Sequence, residues 1–446
     1  MKASKNKEFI ERPESSTKKY LIFGSPRLGT SILLGIIDYA LLTLYNIGFG
    51  IPGWQIFLAT SMGKFSIAAS QFLLGWLSDA HYTRWGRRKP YLIIFTPLLG
   101  ISSVFLLLPN LFISGATVGV FFVWLLIWDI VFQASYGVTS VYQSWMAEQF
   151  KVEDRPKASQ YQNLFNYIGT ALAQIFALLI LTDFARNINQ NPFAIQFDYT
   201  LIVFIFGILT IILFYLIVFI LPKEPNFKIQ SNLMENLRII LKDKNYLKVN
   251  FMEGFSSIAW AIVTPTMLIF LTEVLVFSQT EFIIAAAIVI LGIMSFLFLW
   301  VKIIKTKGKK TSLLLIFVTA IIVLPFSLLG LIITNLIYGI FFLIGIAAAL
   351  GGWYLIRYIF YADLAEDSEK KTGELRAGIY SGFSSILLNI FQAIGLGFSA
   401  FVSFLIGDEL FFVWWGPICA VILFFSYLFT KKFIKLDFEW ETNEIP

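Results

Sequence analysis

The chain has 446 residues, of which 58% are hydrophobic, 17% aromatic and 14% charged, with a mean hydropathy of +0.77. A soluble domain could not cover that much apolar surface with polar side chains, so the composition excludes a water-soluble globular protein and predicts a polytopic membrane protein. The net charge of +6 and pI near 9.1 match basic loops held against an anionic leaflet and require no nucleic-acid partner.

A bilayer core of about 30 Å takes roughly 20 apolar residues per helix. On that ruler residues 1–27, polar and of mixed charge, read as a cytoplasmic tail without a cleavable signal peptide. Six spans follow at 28–49, 53–77, 91–110, 117–147, 158–182 and 199–221. Residues 222–247 are the longest polar stretch between spans and read as a cytoplasmic linker, partly an amphipathic helix. Six more spans fall at 248–275, 281–303, 312–333, 336–361, 378–405 and 409–430, and residues 432–446 form a second cytoplasmic tail. The expected fold is all-α and integral to the membrane: twelve transmembrane helices in two six-helix bundles, residues 28–221 and 248–431. With both termini inside, Arg186 alone among the 34 Lys and Arg falls outside, Lys64 and Arg357 lie within spans, and the rest are cytoplasmic. The expected location is the plasma membrane.

Between the second and third spans, residues 75–91 (GWLSDAHYTRWGRRKPY) place Asp79 beside Arg84, Arg87, Arg88 and Lys89. Gly86 permits a tight turn and Pro90 can open the next helix; Asp79 at a helix end can pair with the bases as a latch. Residues 305–310 (KTKGKK) carry a faded copy at the equivalent place in the second half, although any short cytoplasmic loop tends to be basic. Two bundles with repeated internal order suit a protein that rocks around a site near the midplane.

These residues resemble the loop between helices two and three of the major facilitator superfamily, in the form used by glycoside-pentoside-hexuronide:cation symporters. Met146, Ala147 and Glu148 with Arg155 are similar to the end of that family's helix four, and Ala362, Asp363 and Leu364 with Thr372, Gly373, Arg376, Ala377, Gly378, Ile379 and Tyr380 to its loop between helices ten and eleven. Within the family, residues 40–45 (ALLTLY) and 50–52 (GIP), then Gly63, Ser66 and Gln71, resemble the sucrose-transporter branch. The resemblance implies a cation-coupled sugar or glycoside symporter of the major facilitator fold. It also has departures. The paired aspartates of melibiose-type members fall on Ile67 and Gln71, the helix-five arginine near Asn163, the helix-eleven lysine near Asn389 and a sucrose-type helix-four aspartate near Phe132.

A charge near the bilayer centre costs roughly 2.5 to 3.5 kcal/mol even on the lenient insertion scale, so Asp38, Lys64 and Asp129 should face a cavity or a partner. Asp38 is where the resemblance places an acid in the animal relatives, and is the leading candidate for proton coupling by exchanging Lys64 for a proton. A permanent Asp38–Lys64 structural pair is the alternative. Arg357 and Glu253 can pair as an inner gate, or Arg357 can snorkel to the headgroups. Asp183, Asp198, Glu281, Asp408 and Glu409 read as solvated loop charge.

Polar stripes recur at helical spacing: Asp129, Gln133, Tyr136 and Ser140 on helix four; Asn163, Tyr167, Thr170 and Gln174 on helix five; Glu253, Ser257, Trp260 and Thr264 on helix seven; Ser381, Ser385, Asn389 and Gln392 on helix eleven. Lipid would not tolerate such faces. With Gln71 they suit hydrogen bonding to a polyhydroxylated solute, while Trp128, Trp260 and Trp353 can stack on a sugar's C–H face; the alternative is that many of these groups only join helices.

One His and one Cys exclude a multi-ligand metal site of those residues, no P-loop is present, and no acidic constellation has catalytic spacing. The expectation is no enzyme and no cofactor. It is a secondary active transporter working as a monomer, with a sugar or glycoside as solute and H+ as coupling ion. The alternatives are an uncoupled or sodium-coupled carrier of another amphipathic solute and, remotely, a non-transporting receptor or enzyme.

Overall fold

The computed structural model describes residues 16–151, 154–191, 193–223, 241–372 and 377–436, and within them all side chains except those of residues 79–80, 147, 155–156, 279, 286, 290, 357–363, 365–372 and 377–382. Twelve helical spans run in chain order: α1 Thr17–Gly48, α2 Gly53–Ala80, α3 Lys89–Leu107, α4 Val118–Met146, α5 Lys157–Gln190, α6 Phe197–Ile220, α7 Lys244–Val274, α8 Thr280–Lys307, α9 Lys309–Leu331, α10 Leu336–Ile356, α11 Phe383–Ile406 and α12 Asp408–Phe433. All but α2 are long and apolar enough to cross a membrane by composition. The 28-residue α2 has the length, but Lys64, Ser66, Ser70, Gln71 and Ser78 dilute its apolar character.

Local chemistry sets several ends. Ser278 and Glu281 close a capping box at the start of α8, giving Glu281 a structural task beyond loop charge. Asp243 accepts the Tyr246 N–H at 3.0 Å to start α7. Two stretches are more helical than hydropathy suggested. Residues 17–24, read as tail, form a helix capped by Ser16, with Tyr20 and Phe23 buried against Tyr142, Phe150 and Tyr161. The C-terminal end of α5 continues to Gln190 as an amphipathic turn. Its Phe184, Ala185 and Ile188 are buried, and Phe184 stacks on Tyr199 at 3.8 Å; the interspersed Asp183, Arg186 and Asn187 hid it from a hydropathy ruler.

The packing order repeats. In the first half α1 packs on α5, α2 on α4 and α3 on α6; in the second, α7 packs on α11, α8 on α10 and α9 on α12. Each half is therefore a six-helix bundle built on one plan. The bundles meet along α2 with α11, the most extensive pairing between them, along α1 with α7, and along α5 with α8. The polar side chains of α2 thus face neighbouring helices, α4 and α11 among them, while Leu58, Met62, Phe65, Phe72, Leu73 and Trp76 form its exposed apolar stripe, which explains how it tolerates its composition.

The loop joining α2 and α3 is a hairpin in which Thr83 and Gly86 exchange backbone hydrogen bonds of 3.0 Å, with Gly86 at φ +98°. A side chain there is strained, so Gly86→Ala should lower stability by roughly 1–3 kcal/mol. Thermal unfolding in detergent measures it; an unchanged midpoint would show that the turn accepts a Cβ.

Candidate functional site

Lys64, midway along α2, donates to both carboxylate oxygens of Asp38 on α1, at 2.7 and 2.9 Å. The ammonium is nearly buried, its side chain 8% exposed against 30% for Asp38. Asp129 on α4 is wholly buried, and neither of its oxygens has a well-formed hydrogen bond; Gln133, one turn on, interacts with it without closing one. The charges that act on Asp129 are those of Lys64 and Asp38. Asp129 also packs on Gly63, where any Cβ would collide with the carboxylate. Three residues that the sequence marked separately therefore form one cluster of two acids and one base.

The helix-four stripe was expected to line a cavity. Instead Gln133 and Tyr136 are buried, Ser140 Oγ donates to the Gln71 carbonyl at 3.0 Å, and Ser66 Oγ donates to the Ile130 carbonyl at 3.1 Å. Small residues on both helices let the backbones approach closely enough for hydroxyls to bridge them. The helix-seven hydroxyls are likewise spent locally: Ser257 bonds the Gly254 carbonyl and Thr264 that of Trp260.

Gln71 and Asn389 come together across the two bundles. The Gln71 Oε1 accepts from Ser385 Oγ at 2.9 Å and from Asn389 Nδ2 at 3.2 Å. Gln392 and Asn163 are partly buried, and Tyr167 is exposed at 49%. The α5 amide that meets α1 is Asn166, whose Oδ1 accepts from Ser31 Oγ at 2.6 Å; the sequence reading passed over it because it lies off the expected stripe. Trp260 stacks on Trp353 at 5.9 Å, and the buried Trp260 Nε1 has no acceptor. Trp128 stacks on Phe105 at 4.1 Å, so its ring is committed to packing rather than available to a solute.

At the basic end, Arg88 donates to one Glu148 oxygen from Nε at 3.1 Å and Nη2 at 2.6 Å, and to Ser78 Oγ from Nη1 at 2.6 Å. Lys89 donates to the Leu221 carbonyl at 2.7 Å, and the buried Arg87 lies over the Tyr82 ring at 5.8 Å. This collar joins α2, α3, α4 and the end of α6. Arg84 stays exposed outside it. The side chains of Asp79, Arg155, Arg357 and Asp363, and all of Arg376, lie outside the described residues, as does the partner expected for the buried Glu253.

At the far end, Asp408 is not loop charge. Its Oδ2 accepts the Gly53 N–H at 2.6 Å, capping α2 from the other bundle, and Ser403 Oγ donates to its Oδ1. Arg186 on α5 donates to the Phe277 carbonyl at 3.2 Å, a second bond between the halves at this end. No sequence pattern marks the Asp408 contact because its partner is a backbone amide. Among the described residues no group of His, Cys, Asp and Glu could hold a metal.

Residues 22–407 match the family model described as MFS/sugar transport protein. No curated protein matches the chain in sequence. Among solved structures, a D-xylose-proton symporter aligns with a TM-score of 0.66 at 15% identity, covering 94% of this chain and 98% of its own. The nucleoside transporter NupG aligns at 0.64 and 16%, covering 93% and 99%. An inward-facing bacterial homologue of the human lysosomal transporter Spinster aligns at 0.66 and 14%, covering 94% and 98%. At such identities the likeness speaks for the fold alone.

Removing one partner of a buried ion pair leaves the other charge uncompensated and costs roughly 3–5 kcal/mol. Glu148→Ala should therefore destabilise strongly, and Glu148→Gln, which still offers Arg88 an oxygen, distinctly less. Melting temperatures of the two variants in detergent check this; equal, small shifts would remove the collar from the account.

Proposed function

The chain belongs to the MFS/sugar transport protein family, and on that premise we propose that it is a proton-coupled symporter of a sugar or glycoside in the plasma membrane. It is a multi-pass membrane transporter and not an enzyme. In this reading residues 28–221 and 248–431 rock against each other about the α2–α11 and α1–α7 contacts, with residues 222–247 and both termini cytoplasmic.

The observation that carries coupling is the buried, unbonded Asp129 beside the Lys64–Asp38 pair. With all three ionised the cluster holds one negative charge too many, in a region where an unpaired charge is costly. One proton restores neutrality. Lys64 can bond Asp38 while Asp129 carries the proton, or turn to Asp129 while Asp38 carries it. A proton taken up from one side and released to the other would move with that change of partner. Asp38 keeps the coupling role drawn from the sequence but shares it with Asp129.

For the solute, Gln71, Ser385 and Asn389 form an amide and hydroxyl group across the bundles, and the Trp260 indole N–H is a buried donor in want of an acceptor. A polyol satisfies such groups, and specificity comes from leaving them unpaired when an analogue lacks the matching hydroxyl. The sites of Asn163, Tyr167, Gln392 and Trp353 complete the proposed lining.

In proteoliposomes with an inward proton gradient, the wild type should accumulate a member of a disaccharide, monosaccharide and glycoside panel. Asp129→Asn and Asp38→Asn should each abolish accumulation while preserving solute counterflow. Gradient-independent uptake by the wild type, or full accumulation by Asp129→Asn, would defeat the coupling proposal; accumulation of nucleosides but no sugar would redirect the substrate.

A further inference from the structure

The structure assigns, we propose, an anionic phospholipid site to the outer face of the α2–α3 hairpin, separate from the collar and from the solute path. Thr83, Arg84, Trp85, Pro90, Ile93 and Ile94 line a groove of about 280 Å³. That is below the roughly 300 Å³ at which small-molecule pockets begin, so it suits a segment of an acyl chain rather than a whole solute.

Its walls and its rim differ in chemistry. Pro90, Ile93 and Ile94 belong to the first turns of α3, and Ile94 is 63% exposed. The adjoining end of α6, tied to α3 by the Tyr215 hydroxyl donating to the Ile93 carbonyl at 3.1 Å, presents Phe219 at 73% and Ile220 at 51% exposure. These surfaces belong in hydrocarbon. Trp85, half exposed, has the amphipathic ring that settles at headgroup depth.

The rim is cationic. Arg84 is exposed, with its guanidinium over the Trp85 ring at 5.8 Å, and Lys223 donates weakly to the Arg84 carbonyl at 3.5 Å. Two exposed bases thus converge on one lip, and no acid among the described residues pairs with either. Like charges brought together repel unless an anion joins them. A phosphodiester does so bidentately at the guanidinium, and an anionic leaflet surface attracts both bases. The rest of the loop's charge is engaged elsewhere: Arg88 with Glu148, and Lys89 with the Leu221 carbonyl. Arg84 belonged to the gate in the sequence reading; its position fits a headgroup contact instead.

The test uses the full chain in detergent with dioleoylphosphatidylglycerol, dioleoylphosphatidylcholine or glycerol-3-phosphate added, read by native mass spectrometry and by melting temperature. Phosphatidylglycerol should stay bound and raise the melting temperature, more at low salt than at high, while phosphatidylcholine and glycerol-3-phosphate should do neither. The double variant Arg84→Gln/Lys223→Gln should bind phosphatidylglycerol at least about tenfold more weakly; Arg84→Lys, which keeps the charge but not the fork, should fall between it and the wild type, and lipid-free melting temperatures equal to the wild type show that both variants fold. Equal effects of the two lipids, full binding by the double variant, or an equal shift from glycerol-3-phosphate alone would each overturn the assignment.

Discussion

A single ammonium group serves two carboxylates in the first half of the molecule, and much of the architecture follows from accommodating that arrangement inside a membrane. Lys64 bonds Asp38 in bidentate fashion, while Asp129 is buried beside them without a well-formed hydrogen bond. Such groups cannot face lipid. The helices that carry them must therefore enclose one another, and α1, α2 and α4 do. Gly63 leaves the space that the Asp129 carboxylate fills, and the serines of α2 and α4 bond across to backbone carbonyls. A helix made polar in this way can turn only its remaining apolar stripe, Leu58, Met62, Phe65, Phe72, Leu73 and Trp76, outward. That is why α2 is covered by α4 on one flank and by α11 on another.

The two halves share a packing plan but divide the chemistry. The first half holds the intramembrane charge cluster and the Arg88–Glu148–Ser78 collar. In the second half, the residues facing the same problem are aromatics and amides: Trp260 stacked on Trp353, and Ser385 and Asn389 reaching Gln71. On the proposed function, the coupling charges then sit in the first half alone, while the solute groups are shared between the halves. A charged group placed directly on the solute would have to be desolvated with every turnover, whereas amide and hydroxyl contacts exchange with water at small net cost. The fainter loop of the second half agrees with this. Lys305 and Lys307 end α8 and Lys309 begins α9 around Gly308, with no acid in the stretch.

The spans were legible in the sequence because hydropathy follows from the bilayer's thickness, and the hairpin because Gly86 and four bases can do little else between two spans. The charge cluster was half legible. Rarity marked Asp38, Lys64 and Asp129, but only the packing of α1, α2 and α4 joined them. What stayed hidden depended on distant or featureless partners. Asp408 meets a backbone amide 355 positions away; Arg88 reaches Glu148, 60 positions on. The helix-four stripe misled because periodicity shows that a face is polar without showing whether solvent or another helix covers it. On α2, alternating small residues carried that information in a form that composition does not weigh.

One helix links all these places. The 28 residues of α2 rise about 42 Å at 1.5 Å each, from Gly53 at the far-end clasp, through Lys64 in the charge cluster and Gln71 in the cross-bundle amide group, to Ser78 in the collar. A packed helix moves as a rod far more readily than it bends. If α2 swings away from α11, the Gly53–Asp408 bond, the Gln71 bonds to Ser385 and Asn389, and the distance from Lys64 to its two acids all change in the same motion. No chain of side-chain signals is then needed between the ion site and the ends of the molecule. On the proposed coupling, the charge state of the Asp38–Lys64–Asp129 cluster and the closure of the far end become two descriptions of where α2 stands, and any ligand that favours one position of the helix must then shift the other equilibrium by the same free energy.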